Sequence, residues 1–402
     1  MQSLHQSPTD PGFVQDPYPF YESARSFGPF FHWADYDLVC TGNAAAVNAV
    51  FRDRRFGREA PEALPVPDHL RPFYAVEAHS MLELEPPRHT RLRSLVLRAF
   101  TSRRIAALQP EIDALSHELI DRFPAGTFDL LEAFAQPLPV IIIARLLGVP
   151  EAMAPDLLRW SNAMVGMYQA RRTPAMEAAA VAATESFVAF LTGYVDERRV
   201  RPADDLITHL IAAEMEGDRL TTDELISTCI LLLNAGHEAT VHAIGNGVKM
   251  LLETGTAVSA LAADRVDATV EEILRLDPPL HMFTRWAYED IEVMGHVFRR
   301  GDRVGLLLAA ANRDPGVWEE ASRFLPDRPV KPHASFGAGL HFCVGAPLAR
   351  LELQRALPIL FRRSPGLRLV EPPAYGDVYH FHGLTRLIVG QQAAPDRAPT
   401  GR

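Results

Sequence analysis

The residues with the most chemistry in their spacing are Ser335-Phe336-Gly337-Ala338-Gly339-Leu340-His341-Phe342-Cys343-Val344-Gly345. Glycines at 337, 339 and 345 permit backbone dihedrals closed to other residues and let main chain lie close against a flat ligand. A helical pattern over 346–361 begins just after Cys343. The cysteine therefore stands at a helix N-terminus, where the dipole and free N–H groups stabilise a thiolate and lower its pKa. A thiolate held by N–H bonds suits a haem iron that must cleave O–O, because the ligand pushes electron density onto the metal. Two other readings stand beside this one. One is a buried structural cysteine in a glycine-rich turn. The other is a zinc pair of His341 and Cys343, which lacks two further ligands at the usual spacings.

A second group lies on the strongest helix the pattern predicts, over about 222–253. Thr221 and Glu224 form an S/T-x-x-E capping box at its start, and Gly255 stands just past its end. At 1.5 Å per residue it is roughly 48 Å long. Its middle is apolar nearly all round and hence buried, yet it contains Ala235-Gly236-His237-Glu238-Ala239-Thr240. Gly236 weakens a helix by about 1 kcal/mol relative to Ala, and a buried Glu238 is costly unless paired or protonated. The segment is either a kinked helix with a satisfied core carboxylate or a groove where a ligand lies beside an acid and a hydroxyl.

The elements that position these groups are mostly helical. Helices are read over 16–27, 44–51 with Asn43 as N-cap, 90–100, 105–123, 138–147, 181–199 and 204–215. Residues 30–40 read as a hairpin with Asp35 near its turn, and the proline-rich 60–80 stretch as a long loop. Short β-like runs (IEVMG, VGLLLAA, LRLV, LIVG) fill the C-terminal third. The fold is read as mainly α with a small β part, as one domain over 1–402 with frayed tails at about 1–12 and 391–402.

Composition narrows the class. Of 402 residues, 48% are hydrophobic and 22% charged, enough for a sizeable core. A net charge of −10 argues against general nucleic-acid binding. No stretch reaches the ~18 apolar residues of a membrane span, and MQSLHQSPTDPGF lacks the basic and apolar regions of a signal peptide. Three dispersed cysteines form no disulfide framework, so a reducing cytoplasm is the expected location. Cys40 and Cys229, in apolar stretches, read as small buried hydrophobes.

FGAGLHFCVG resembles the haem-binding signature of the cytochrome P450 family, and the order of the other motifs from about 16 to 389 is similar to that family. The resemblance implies the cytochrome P450 fold, with haem (heme b, iron protoporphyrin IX) between the long central helix and the cysteine loop with its proximal helix. It makes Cys343 the iron ligand, with Phe336, Gly337 and Gly345 lining the haem. Glu272-Ile273-Leu274-Arg275 resembles the family's E-x-x-R, whose i, i+3 pair meets an Arg from the meander before the cysteine. That third partner is placed at Arg323, with Arg328 as runner-up. Propionates are assigned by resemblance to His89, Arg93, Arg285 and His341; His89 and Arg93 stand i, i+4 on one helical face. The pocket is assigned to 60–80, 164–168, Ala235, Ala239, Leu280, Met282 and Phe283, with Val241, His242 and the stretch near Phe381 contributing.

The family's central helix usually carries A-G-x-D/E-T, and here the Thr position is Ala239. Thr240 lies about 100° further round and does not simply substitute. Glu238, Ala239 and Thr240 are therefore the catalytic segment, with the proton path in question. The resemblance implies a monooxygenase acting on O2 and a small hydrophobic substrate. Electrons come from a separate ferredoxin or flavodoxin-type donor docking near Cys343, where Arg103, Arg104, Arg350 and Arg355 are candidates. Other readings are C–C cleavage, rearrangement or peroxide-driven chemistry on the same fold and, from another class, a haem-based sensor or carrier.

Overall fold

The computed structural model describes residues 1–169, 172–214, 220–378 and 381–391. Its longest element is the helix Thr222–Thr254. Thr221 Oγ1 accepts from the Glu224 amide (3.2 Å) and the Glu224 carboxylate accepts from the Thr221 amide (2.9 Å). Two otherwise orphaned donors are thus satisfied reciprocally. Gly255 ends the helix in the left-handed region at φ 65°. This central helix runs through the largest apolar cluster, where Leu225, Ile230, Leu233, Ile244, Val248 and Leu251 are buried. It packs on helices Pro137–Leu147 and Ala346–Arg363. Its glycines sit at close approaches: a Cβ at Gly236 would lie 3.1 Å from Ile143, and one at Gly247 3.2 Å from Ile273. Gly236 is thus accounted for by helix packing, and the helix continues through it.

The β part is a six-stranded sheet in the order Ser3–Leu4, Phe31–Trp33, Leu38–Thr41, Arg303–Leu307, Met282–Ala287, Phe56–Gly57. A three-stranded sheet and two hairpins complete it. The register of the large sheet sets Arg285 opposite Val304 and Met282 opposite Leu307. The chain is therefore mainly helical with a small β part, as the pattern predicts.

Several expectations are corrected. Residues 1–12 are not a frayed tail: Ser3–Leu4 pairs in parallel with Phe31–Trp33, and Asp10 caps the helix Pro11–Gln15. Residues 392–402 lie outside the described residues, as does Met215. The 60–80 stretch is not all loop. It turns through Asp68–Leu70 into the helix Arg71–Glu77, where Pro72 occupies the second position that tolerates proline. The single helix read over 105–123 is two, Ser102–Ala107 and Gln109–Asp121, because Pro110 opens a new first turn. The helix read from 181 starts at Pro174, with Thr173 as N-cap. By length and composition alone, Pro174–Val200 is apolar enough to cross a membrane. In the fold it buries Ala180, Phe187, Leu191 and Val195 and stacks Phe187 on Trp160 at 5.2 Å.

Candidate active site

The cysteine loop is pinned by main chain. Gly337 and Gly339 have φ 67° and 70°. A Cβ at Gly339 would stand 2.2 Å from the Phe51 carbonyl, so only glycine fits there. The Cys343 amide donates to the Phe336 carbonyl (3.0 Å), and Gly345 caps the helix Ala346–Arg363. The amides of Gly345 and Ala346 point at the Cys343 sulfur. Burial nevertheless pushes the thiol up, outweighing those amides and the nearby Arg93 and Arg350 guanidinium groups. The bare protein thus does not lower this pKa as the helix position alone predicts. A bound cation reverses that balance, because a coordinating thiol is deprotonated outright.

The four cationic residues cluster at one edge of this loop. His89 is 1% exposed and stacks 4.3 Å from the His341 ring. Burial first, then His341 and Arg93, lower its pKa to about 4. Its Nδ1 is buried with no partner among the described residues. Arg93 donates to the Phe342 carbonyl (2.6 Å). Arg285 donates to the Thr284 carbonyl (2.8 Å) and lies 5.0 Å over the Phe51 ring. Burial lowers it to about 9. Among the described residues no carboxylate forms an ion pair with Arg285. His341 differs from expectation: its Nε2 meets Glu85 at 2.9 Å, a partner the sequence reading did not name. A buried Arg without a carboxylate and an orphaned His nitrogen are costly. They fit an anionic group such as the two carboxylates of a haem.

Opposite residue types make the central helix. Ala235, Glu238, Ala239 and His242, spaced i, i+3, i+4 and i+7, share one face. That face is open or half-open, while His237, Thr240 and Val241 beside it are buried. Thr240 turns its hydroxyl to the Gly236 carbonyl (3.5 Å). Glu238 is not alone: His242 Nε2 lies 3.3 Å and His237 Nε2 3.6 Å from its carboxylate. With its nitrogen turned inward, the Asn162 amide donates to Glu238 at 3.1 Å. Burial raises the Glu238 carboxyl, but the His242 hydrogen bond and the charges of both histidines outweigh it and hold it below the ordinary value. The sequence reading placed His242 only at the pocket; its i, i+4 spacing from Glu238 was the available signal.

Leu280, Met282 and Phe283 are half-buried on or beside the strand Met282–Ala287, and Leu280 bridges to Phe381. Met164 and Met167 are packed into the core rather than open. Behind the loop, Arg275 donates to Glu272 twice, from Nε (2.6 Å) and Nη2 (2.8 Å). Its other bonds reach the carbonyls of Asn312 (2.7 Å), Ala321 (2.8 Å) and Arg323 (3.2 Å). The third side chain is Arg328, whose Nε donates to Glu272 at 3.1 Å. This corrects the placement at Arg323, which contributes only its carbonyl and turns its guanidinium outward to Glu320. Of the four arginines proposed for docking, Arg350 is held by Glu271, Arg355 by Asp113 and Arg104 by Asp204. Arg103 is exposed, as are Leu97 and Phe342.

Comparison with known proteins agrees with this geometry. The family model Cytochrome P450 matches residues 265–363. Cytochrome P450 monooxygenase PikC of Streptomyces venezuelae is 37% identical over 404 residues, covering 97% of this chain and 93% of that protein. 6-Deoxyerythronolide B hydroxylase of Saccharopolyspora erythraea is 38% identical, covering 77% of this chain and 76% of that protein. Among solved structures, the Bacillus subtilis bacillaene polyketide synthase cytochrome P450 PksS superposes with a TM-score of 0.87 at 31% identity, over 96% of this chain and 100% of that one.

Proposed function

The chain belongs to the cytochrome P450 family, and from that premise we propose that it is a monooxygenase inserting one oxygen atom of O2 into a small hydrophobic substrate of polyketide type. The substrate class rests on relatives named for polyketide biosynthesis and on the apolar, half-buried Leu280, Met282 and Phe283. The cofactor is heme b, ligated by Cys343. The observation that carries this reading is the buried Arg285, which forms no ion pair among the described residues, and the orphaned His89 nitrogen beside the Cys343 loop. His89, Arg93 and Arg285 hold the propionates, with His341, whose Nε2 is held by Glu85, beside them. Phe336, Gly337 and Gly345 let the loop lie flat beneath the ring. Haem bound there supplies the activation of oxygen; the protein orients it, keeps the site dry and moves protons.

Electrons come from a separate ferredoxin-type protein docking beside Cys343 on exposed Leu97, Phe342 and Arg103. The cytoplasm suits three unpaired cysteines. Ala239, with Thr240 turned away, also favours a second reading, peroxide-driven chemistry on the same site. A macrolactone library screened for spin-state shifts, then turnover under 18O2 with ferredoxin and its reductase, separates the two. The proposal expects one 18O atom per product. Product formed from hydrogen peroxide but never from O2 and reductant overturns it.

A further inference from the structure

Proton delivery is the weak point of this site. Position 239 has no hydroxyl, and the Thr240 hydroxyl points toward the Gly236 carbonyl at 3.5 Å. Between Ala235 and His242 the titratable groups on the open face of the central helix are Glu238 and His242. They pair at 3.3 Å through His242 Nε2 and Glu238 Oε1. His237 also faces Glu238, but its Nδ1 is spent on the Leu233 carbonyl (2.7 Å) and burial lowers its pKa, so it stays neutral. The Asn162 amide also reaches Glu238, and it carries no titratable proton.

The His242 ring is fixed from the C-terminal side. His382 Nδ1 bonds to Asp277 (3.1 Å), and the Asn246 amide donates to the His382 carbonyl (2.9 Å). This anchors 381–383 against the central helix. Phe381 lies 5.9 Å from the His242 ring. A Cβ at Gly383 would stand 1.9 Å from His242 Nδ1. That Nδ1 is buried and has no hydrogen-bond partner among the described residues. One nitrogen therefore faces the carboxylate, and the other is buried against Gly383.

We infer that His242 and Glu238 form a proton relay that stands in for the hydroxyl missing at position 239; the inference rests on the monooxygenase reading. In the step, protonated His242 releases its Nε2 proton to Glu238 Oε1, leaving a neutral imidazole and a carboxylic acid. Glu238 passes that proton into the pocket and returns to carboxylate. His242 Nε2, on a side chain that is only half-buried, then takes a proton from water, which restores the imidazolium. No electron moves in the relay, and each cycle carries one proton from water to the pocket. His242 acts through Glu238 and is a positioning and relay residue.

The test compares wild type with His242→Asn and Gly383→Ala. The first removes the imidazole, and the second displaces it without removing it. Infrared titration of the Glu238 carboxyl in the ferric resting enzyme, identified by its loss in Glu238→Gln, reads the pair without turnover. The inference expects its protonation midpoint to rise in both His242→Asn and Gly383→Ala. With the macrolactone giving the largest spin-state shift as probe, product per reduced cofactor should fall by about 100-fold, the low end of what a positioned acid–base group contributes. Hydrogen peroxide should rise correspondingly, and the pH dependence of coupling should flatten. An unchanged midpoint together with an unchanged pH profile in His242→Asn overturns the relay. If wild type fails to incorporate 18O from O2, the monooxygenase reading falls, and the titration still decides whether the pair exists.

Discussion

Arg328 rather than Arg323 meets Glu272, and the two substitutions should differ by a measurable amount. Glu272 and Arg275 are 2% and 1% exposed. The Glu272 carboxylate accepts from Arg275 Nε (2.6 Å) and Nη2 (2.8 Å), the Leu325 amide (3.0 Å) and Arg328 Nε (3.1 Å). Arg275→Ala leaves a buried carboxylate without its main partner, at a cost of about 3–5 kcal/mol. Arg328→Ala removes one charge-assisted bond of about 1.5–3 kcal/mol, and with it the donors to the Glu319 and Glu320 carbonyls. Arg323→Ala removes an exposed pair with Glu320 and stays within about 0.5 kcal/mol. For 402 residues the unfolding entropy is about 0.8 kcal/mol per degree. The midpoint should therefore fall by about 4–6 °C, 2–4 °C and under 1 °C in that order. Circular dichroism melts at one fixed scan rate, with haem content per protein, read the ranking. An Arg323→Ala loss equal to that of Arg328→Ala refutes the argument.

Two further substitutions have signs fixed by burial. Glu77 is raised from 4.5 to about 7, by burial first and then by Glu83, against the Tyr168 hydrogen bond and Arg58. The native state therefore holds more protons than the unfolded chain between those values, and stability falls as pH rises through that window. Glu77→Gln should melt higher than wild type at pH 8, by up to about 3 kcal/mol, with the gap closing toward pH 4; a pH-independent gap contradicts this. Arg285→Ala should leave the apoprotein no less stable, because it removes a buried cation that forms no ion pair among the described residues. The same change should speed haem loss to apomyoglobin by about tenfold or more, the worth of one charge-assisted bond; unchanged haem loss counts against the propionate assignment.

The central helix was legible because its signals are local: the Thr221–Glu224 box, the apolar interior and Gly255. The Glu272–Arg275 pair was legible for the same reason, as i, i+3 spacing. The strand Ser3–Leu4 was not, since two residues carry no period and the partner at Phe31–Trp33 is distant. The helix Arg71–Glu77 was hidden by its prolines, although Pro72 sits where a first turn accepts it. Choosing between Arg323 and Arg328 required the path of the loop, which decides which side chain turns inward and which supplies a carbonyl. Glu85 was out of reach because its bond to His341 joins segments 256 positions apart. His242 was within reach: the i, i+4 rule applied to Glu238 finds it directly.

The central claim is that Cys343 supplies a thiolate to haem iron at the start of the helix Ala346–Arg363. The direct measurement is the Soret band of the ferrous carbon-monoxide complex in wild type and Cys343→Ser, each at matched haem content. The account predicts the red-shifted thiolate band in wild type and its loss in Cys343→Ser. The same red-shifted band persisting in Cys343→Ser would contradict it.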